Sequence, residues 1–215
     1  MNVNGKKVYF LGDSITAGAI ASKPEHAYVN VFSVLTGAII KNYGVGGTRI
    51  ARQTVASKDA SFDQDFIMRL DSMDDDADLV VVFGGTNDFG HGDAKMGTSS
   101  DDSPYTFYGA CKTLYNGLKN KYTDAKFVVV LPLNSVICEP VLIKHGREVS
   151  INDYRKIINE VAVDFGFYVL DLTDLEQLNP TIEQSNKDYF VDGLHPNDKG
   201  HEIIAQKLAE FIINI

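Results

Sequence analysis

Residues 79–88 read Leu-Val-Val-Val-Phe-Gly-Gly-Thr-Asn-Asp. The run Leu79–Phe83 is apolar and mostly β-branched, as expected of a strand covered on both faces in a parallel sheet. Gly84-Gly85 end it, and Thr86-Asn87-Asp88 place polar side chains just past its carboxyl end. Lys7–Leu11 (KVYFL) and Phe127–Leu131 (FVVVL) have the same character, with Ile39–Tyr43 (IIKNY) and Phe167–Leu170 (FYVL) as weaker strands. Helical spacing fills the gaps: Phe107, Cys111, Leu114 and Leu118; Ile151, Tyr154, Ile158, Val161 and Phe165; Ile203, Ile204, Leu208, Phe211 and Ile212. The last stripe follows His195-Pro196-Asn197, where Pro and a capping Asn suit a helix start. Strands alternating with helices imply right-handed crossovers. The expected fold is α/β: a three-layer α/β/α sandwich on a five-stranded parallel sheet, flavodoxin-like, as one domain over residues 1–215.

The chain of 215 residues is long enough for one large core, and carries a formal net charge of −9. That acidity argues against nucleic acid and anionic membranes as partners, since both reward Lys and Arg. No stretch approaches the length of a membrane span. Val8–Leu11 is too short for the apolar region of a signal peptide, so a cytoplasmic protein is expected. Cys111 and Cys138 read as buried thiols. The connections Phe89–Pro104 and Asn134–Val149 are long enough to suggest functional loops.

In open α/β sheets, ligands bind outside the carboxyl ends of the strands. Four polar, Gly-marked segments fall on that rim: Gly12-Asp13-Ser14-Ile15, Asn42-Tyr43-Gly44-Val45-Gly46-Gly47-Thr48, Gly84–Asp88, and Asp192-Gly193-Leu194-His195. A serine hydroxyl needs a base to take its proton, and His is the natural one near neutral pH. Asp192 and His195 are three apart, so one turn can bring both side chains to one side. Asp13 and Asp88 read as structural, holding loops through backbone hydrogen bonds. His91 and His145 read as loop decoration, His201 as solvated, and Asp74-Asp75-Asp76 as a solvated turn. None of the histidines has zinc-type spacing.

Taken in order, these segments resemble the SGNH (GDSL) hydrolase family over almost the whole chain. The resemblance implies a serine esterase with Ser14 as nucleophile, His195 as base and Asp192 as its orienting acid. Ile15 stands where the family motif has Leu. The same resemblance implies an oxyanion hole from the Ser14 amide, a glycine amide and the Asn87 side chain. Gly47 is the better match for the glycine, with Gly46 one residue away. No metal or organic cofactor is implied. The substrate class is a small ester, with acetylated sugars favoured by polar loop residues Asp93, Asp101, Asp102, His145 and Arg147.

Two rival readings use the same architecture. A flavodoxin-type nucleotide or flavin binder would suit the Gly-rich turns, but leaves the Asp-x-x-His spacing idle. A carbohydrate binder without activity would leave Ser14, Asp192 and His195 without a purpose. The glycines do not form a phosphate-binding G-x-G-x-x-G, because Arg49 occupies the last position. A G-x-S-x-G elbow is absent, which disfavours the α/β-hydrolase fold.

Overall fold

The computed structural model describes residues 1–137 and 140–215; Cys138 lies outside the described residues. Strands β1 (Lys7–Gly12), β2 (Ile39–Gly44), β3 (Leu79–Phe83), β4 (Lys126–Val130) and β7 (Tyr168–Leu170) form one five-stranded sheet in the order β2-β1-β3-β4-β7. Every pairing in it is parallel. The helices are α1 (Ser14–Ala17), α2 (Tyr28–Thr36), α3 (Phe66–Arg69), α4 (Thr86–His91), α5 (Phe107–Lys121), α6 (Ile151–Asp164), α7 (Glu183–Tyr189) and α8 (Asp198–Ile213). The expected α/β/α sandwich is therefore the observed fold.

Side-chain alternation along the strands divides the core into two layers. Tyr9, Leu11, Val80, Val82 and Val129 face α5 and α6, meeting Phe107, Leu114, Tyr154 and Ile158. Val8, Phe10, Val81, Val128 and Val130 face α2 and α8, meeting Tyr28, Phe32, Ile204 and Leu208. Each such side chain contributes roughly 1.5–3 kcal/mol on burial, so the sheet is fixed firmly while its carboxyl rim stays open to polar loops. At the sheet edge, β2 is the least buried of the longer strands, which explains its mixed sequence.

Three expectations need correction. The connection Asn134–Val149 is not purely a loop: it contains a small antiparallel hairpin of β5 (Leu142–Lys144) and β6 (Arg147–Val149). The connection from Phe89 begins inside α4, which runs to His91. His201 is fully buried rather than solvated. It lies in line with Ile204, Ala205, Leu208 and Ile212, the face that α8 turns to the core. Its Nδ1 accepts from the Tyr28 amide at 3.3 Å and its ring stacks on Tyr28. Burial holds its pKa below the usual imidazole value. Cys111 is a buried free thiol, as expected, and burial pushes its pKa well up. Asp74, Asp75 and Asp76 are exposed, as expected, but each pairs with a lysine: Lys41, Lys121 and Lys7.

Candidate active site

The site is assembled where β1, β2 and β3 end. Asp13 caps α1 by accepting from the Ile15 amide at 3.1 Å. The capping duty therefore falls on Asp13, and the Ser14 hydroxyl is left for other contacts. Asp13 is buried, and burial pushes its carboxyl up to about 6 against the opposing pull of the Ile15 amide, His195 and Arg69.

From the far end of the chain, the turn before α8 brings the Asp192–His195 pair to Ser14. His195 Nε2 lies 2.9 Å from Ser14 Oγ, and His195 Nδ1 lies 2.7 Å from Asp192 Oδ2. Asp192 Oδ1 accepts from the amides of Leu194 at 3.0 Å and His195 at 2.7 Å. Partial burial works to raise the Asp192 pKa, but the donors from His195 and Leu194 outweigh it and hold the carboxyl below its ordinary value. An ionised Asp192 accepts from Nδ1–H, which leaves the Nε2 lone pair facing the serine hydroxyl. In that arrangement an imidazole can take the serine proton.

The turn after β2 closes the site on the other side. Thr48 N–H donates to Val45 O at 3.4 Å, with Gly46 and Gly47 between them and Gly47 at φ +74°. This is a turn whose third residue needs positive φ, which glycine adopts without strain. A Cβ on Gly47 would also stand 2.3 Å from the Phe62 ring, whereas one on Gly46 would come no nearer than 3.8 Å to Ser14 Cβ. Gly46 thus borders the serine directly, while Gly47 is wedged by Phe62. Gly44 is needed for close approach, since a Cβ there would lie 2.3 Å from the Ala17 amide nitrogen.

Asn87 sits in the first turn of α4, with Nδ2 donating to Thr48 O at 3.0 Å and Oδ1 lying 3.2 Å from His91 Nε2. Asp88 is buried and accepts from the amides of Ile50 and Ala51, both at 2.9 Å. Burial pushes its carboxyl up to about 6, opposed by those two amides and by Lys144 and Arg49. The structure thus gathers Ser14, Gly46, Gly47, Asn87, Asp192 and His195 around one rim, and gives Asp13 and Asp88 backbone-holding positions.

Two arginines escape a reading of the sequence. Arg69 is buried and ties two rim segments together at three points: Nη1 donates to Gly12 O and Tyr43 O, and Nη2 to Thr48 Oγ1. Burial lowers its pKa to about 10. Arg49 is likewise buried and contacts Ser57, Phe62, Asp63 and His91. Neither position carries a motif; the only hint is that Arg49 directly follows the glycine turn. His91, expected as loop decoration, contacts Asn87. The polar loop residues that favoured a sugar are mostly engaged locally. Asp93 accepts from Thr54 and Val55 amides, Asp101 from the Thr98 amide, Asp102 pairs with Lys112, and His145 contacts Asp93 O.

Fold and rim together define a carboxylic ester hydrolase, and comparison with known proteins agrees. The model of the GDSL-like lipase/acylhydrolase family matches residues 10–203, and the chain belongs to that family. A structure from Lactobacillus plantarum is 28% identical, with 99% of this chain and 98% of that one covered at a TM-score of 0.81. An acetyl xylan esterase, AlAXEase, is 25% identical, with 96% and 99% covered at a TM-score of 0.64. A two-domain esterase active on acetylated mannans shares the fold at 20% identity; 99% of this chain aligns with 50% of that one at a TM-score of 0.62. No curated protein matches the sequence. Among the described residues, no helix is long and apolar enough to cross a membrane.

Proposed function

We propose that the protein hydrolyses acetyl esters of carbohydrates through an acyl intermediate on Ser14. The observation that carries the mechanism is the unbroken contact from Asp192 through His195 to Ser14, at 2.7 and 2.9 Å. His195 takes the Ser14 proton as Oγ attacks the ester carbonyl, and returns it to the departing alkoxide. Water then attacks the acyl-serine with His195 again as base, and His195 returns that proton to Ser14 Oγ as acetate is released. The oxyanion is received by the Ser14 amide, the Asn87 side chain and a glycine amide. Gly47 keeps its family position, and the proximity of Gly46 to Ser14 makes Gly46 the alternative donor.

The substrate assignment is supported by a cleft of about 560 Å³ whose lining includes His91, in contact with Asn87, and Phe62, packed against Gly47, together with Arg49, Gln53, Val55 and Ala56. Polar groups beside an aromatic ring suit a sugar, and the small apolar side chains of Val55 and Ala56 suit its acetyl methyl groups. The resemblance to an acetyl xylan esterase points the same way. A second reading draws on Val136, Ile137 and Val141, exposed on the connection that bonds to Gly193 O through the Val136 amide at 3.0 Å. Those side chains would favour a longer acyl group. The test compares 4-nitrophenyl acetate, 4-nitrophenyl octanoate and acetylated xylo-oligosaccharides. Acetyl release from the oligosaccharide, lost by about 10⁴–10⁶-fold in Ser14→Ala, is the expected result. Equal rates for Ser14→Ala and wild type would refute the mechanism; a preference for octanoate would refute only the substrate.

A further inference from the structure

His91 stands one helical turn after Asn87, and its two ring nitrogens are both engaged. Nε2 faces Asn87 Oδ1 at 3.2 Å, and Nδ1 faces Arg49 Nη1 at 3.1 Å. Amide orientation and imidazole tautomer are each ambiguous when taken alone. Here the two ends of the chain are not. A backbone carbonyl only accepts and a guanidinium only donates. Thr48 O, at 3.0 Å, must therefore receive Asn87 Nδ2–H. That turns Oδ1 toward His91, so Nε2 must carry a proton. Nδ1 then holds a lone pair, which is what Arg49 requires. One assignment satisfies every contact, and reversing any member sets donor against donor or acceptor against acceptor.

Arg49 is held in its turn. Its Nη2 donates to Ser57 Oγ at 2.7 Å, Phe62 O at 3.1 Å and Asp63 Oδ1 at 2.7 Å. The Phe62 ring packs on the His91 ring with centroids 5.7 Å apart. Burial, then Arg49 and Lys144, oppose a positive charge on His91 and hold its pKa down.

We infer that His91 is a positioning residue for the oxyanion donor: Arg49 fixes it as the neutral Nε2–H tautomer, and that proton fixes the Asn87 amide. The Nδ2 hydrogen not given to Thr48 is then presented to the oxyanion of the tetrahedral intermediate. His91 exchanges no proton in this role and touches no reacting atom. The inference rests on the reading of Asn87 as an oxyanion donor.

Three measurements test it on the full chain. Long-range ¹H–¹⁵N correlation on the unmodified protein should find His91 neutral with the proton on Nε2 at pH 7; a proton on Nδ1 or on both nitrogens would overturn the inference with no variant needed. Kinetics on 4-nitrophenyl acetate form a double-mutant cycle. Asn87→Ala should lower kcat by about 10²–10³-fold. His91→Ala should lower it by roughly three- to thirtyfold with KM unchanged. The double variant should be no slower than Asn87→Ala alone, because His91 acts only through Asn87. His91→Gln, whose amide N–H can also donate, should recover most of kcat. Additive losses, or a His91→Ala effect confined to KM, would overturn the positioning role while leaving Asn87 as donor. An unchanged kcat in Asn87→Ala would overturn the oxyanion assignment itself, and this inference with it, while the Ser14→Ala result would stand.

Discussion

Replacing Asp192 by Asn alters one atom, yet the surrounding contacts make its consequence calculable. Asp192 Oδ1 accepts from two backbone amides, at 3.0 and 2.7 Å, and Oδ2 receives His195 Nδ1 at 2.7 Å. In Asp192→Asn the amide oxygen is kept at the Oδ1 position by those two donors. The NH₂ group then occupies the Oδ2 position and donates to Nδ1. His195 is forced to carry its proton on Nε2, facing the Ser14 hydroxyl, and can no longer accept from it. Rotating the amide to restore the ring contact would lose both backbone bonds, at about 1–1.5 kcal/mol each. The unproductive orientation is therefore favoured by roughly 2–3 kcal/mol, about thirty- to hundredfold, since 1.4 kcal/mol is a factor of ten. Removing the carboxylate charge beside the forming imidazolium costs about 1.5–3 kcal/mol more. The expected loss in kcat is about 10³–10⁴-fold, with KM little changed. The assay is hydrolysis of 4-nitrophenyl acetate at pH 7, with thermal unfolding to show that the variant is folded. A folded Asp192→Asn protein within tenfold of wild type would refute the reasoning.

Other expectations concern the supports of the site. Asp88→Ala leaves the buried amides of Ile50 and Ala51 without an acceptor, and unsatisfied groups cost about 1–3 kcal/mol each; denaturant titration should register a loss of roughly 2–5 kcal/mol, and a loss below 1 kcal/mol would contradict the assignment. Asp198 accepts from Ser22 Oγ at 2.6 Å and the Ser22 amide at 2.8 Å, and these bonds pull its carboxyl down to about 2. A depressed folded-state value contributes stability above the ordinary pKa that disappears as pH falls through the folded one. The Tm advantage of wild type over Asp198→Asn should thus be full well above pH 4, shrink as pH falls toward 2 and be gone below it; a difference undiminished at pH 2 would show that the bonds do not discriminate the ionised form.

How much of this was legible beforehand depends on whether a residue's partner is near in sequence or only near in space. Continuous apolar runs such as Leu79–Phe83 carry the sheet in themselves, because a strand buried on both faces has no polar positions to hide. Ser14, Asn87, Asp192 and His195 were legible because each sits in a short motif beside a strand end or helix start. Arg49 and Arg69 were not, because their partners lie on other loops, and His91 was not, because its spacing of four from Asn87 has meaning only once Thr86–His91 is known to be a helix. His201 is the instructive intermediate: its place on the apolar stripe of α8 was readable from spacing, and the polarity of imidazole obscured it.

The distant pairing of Ser14 with His195 can be traced to structure that is neither. α8 packs on α2 through Tyr28, Phe32, Ile204 and Leu208, and His201 bonds to the first amide of α2. At the same end, Asp198 grips Ser22, and His26 Nδ1 approaches Asp198 Oδ2 at 2.8 Å. The segment just after Ser14 is thereby tied to the residues just after His195. The core contacts set the coarse distance between the two ends of the chain, and the Ser22–Asp198 contact sets the finer one. An error of an ångström at Ser14 costs far more in rate than in stability, since a reacting pair must meet in near-attack geometry. Loosening the tie should therefore slow hydrolysis before it unfolds the protein, which separates the residues that build this site from those that merely stabilise the sandwich beneath it.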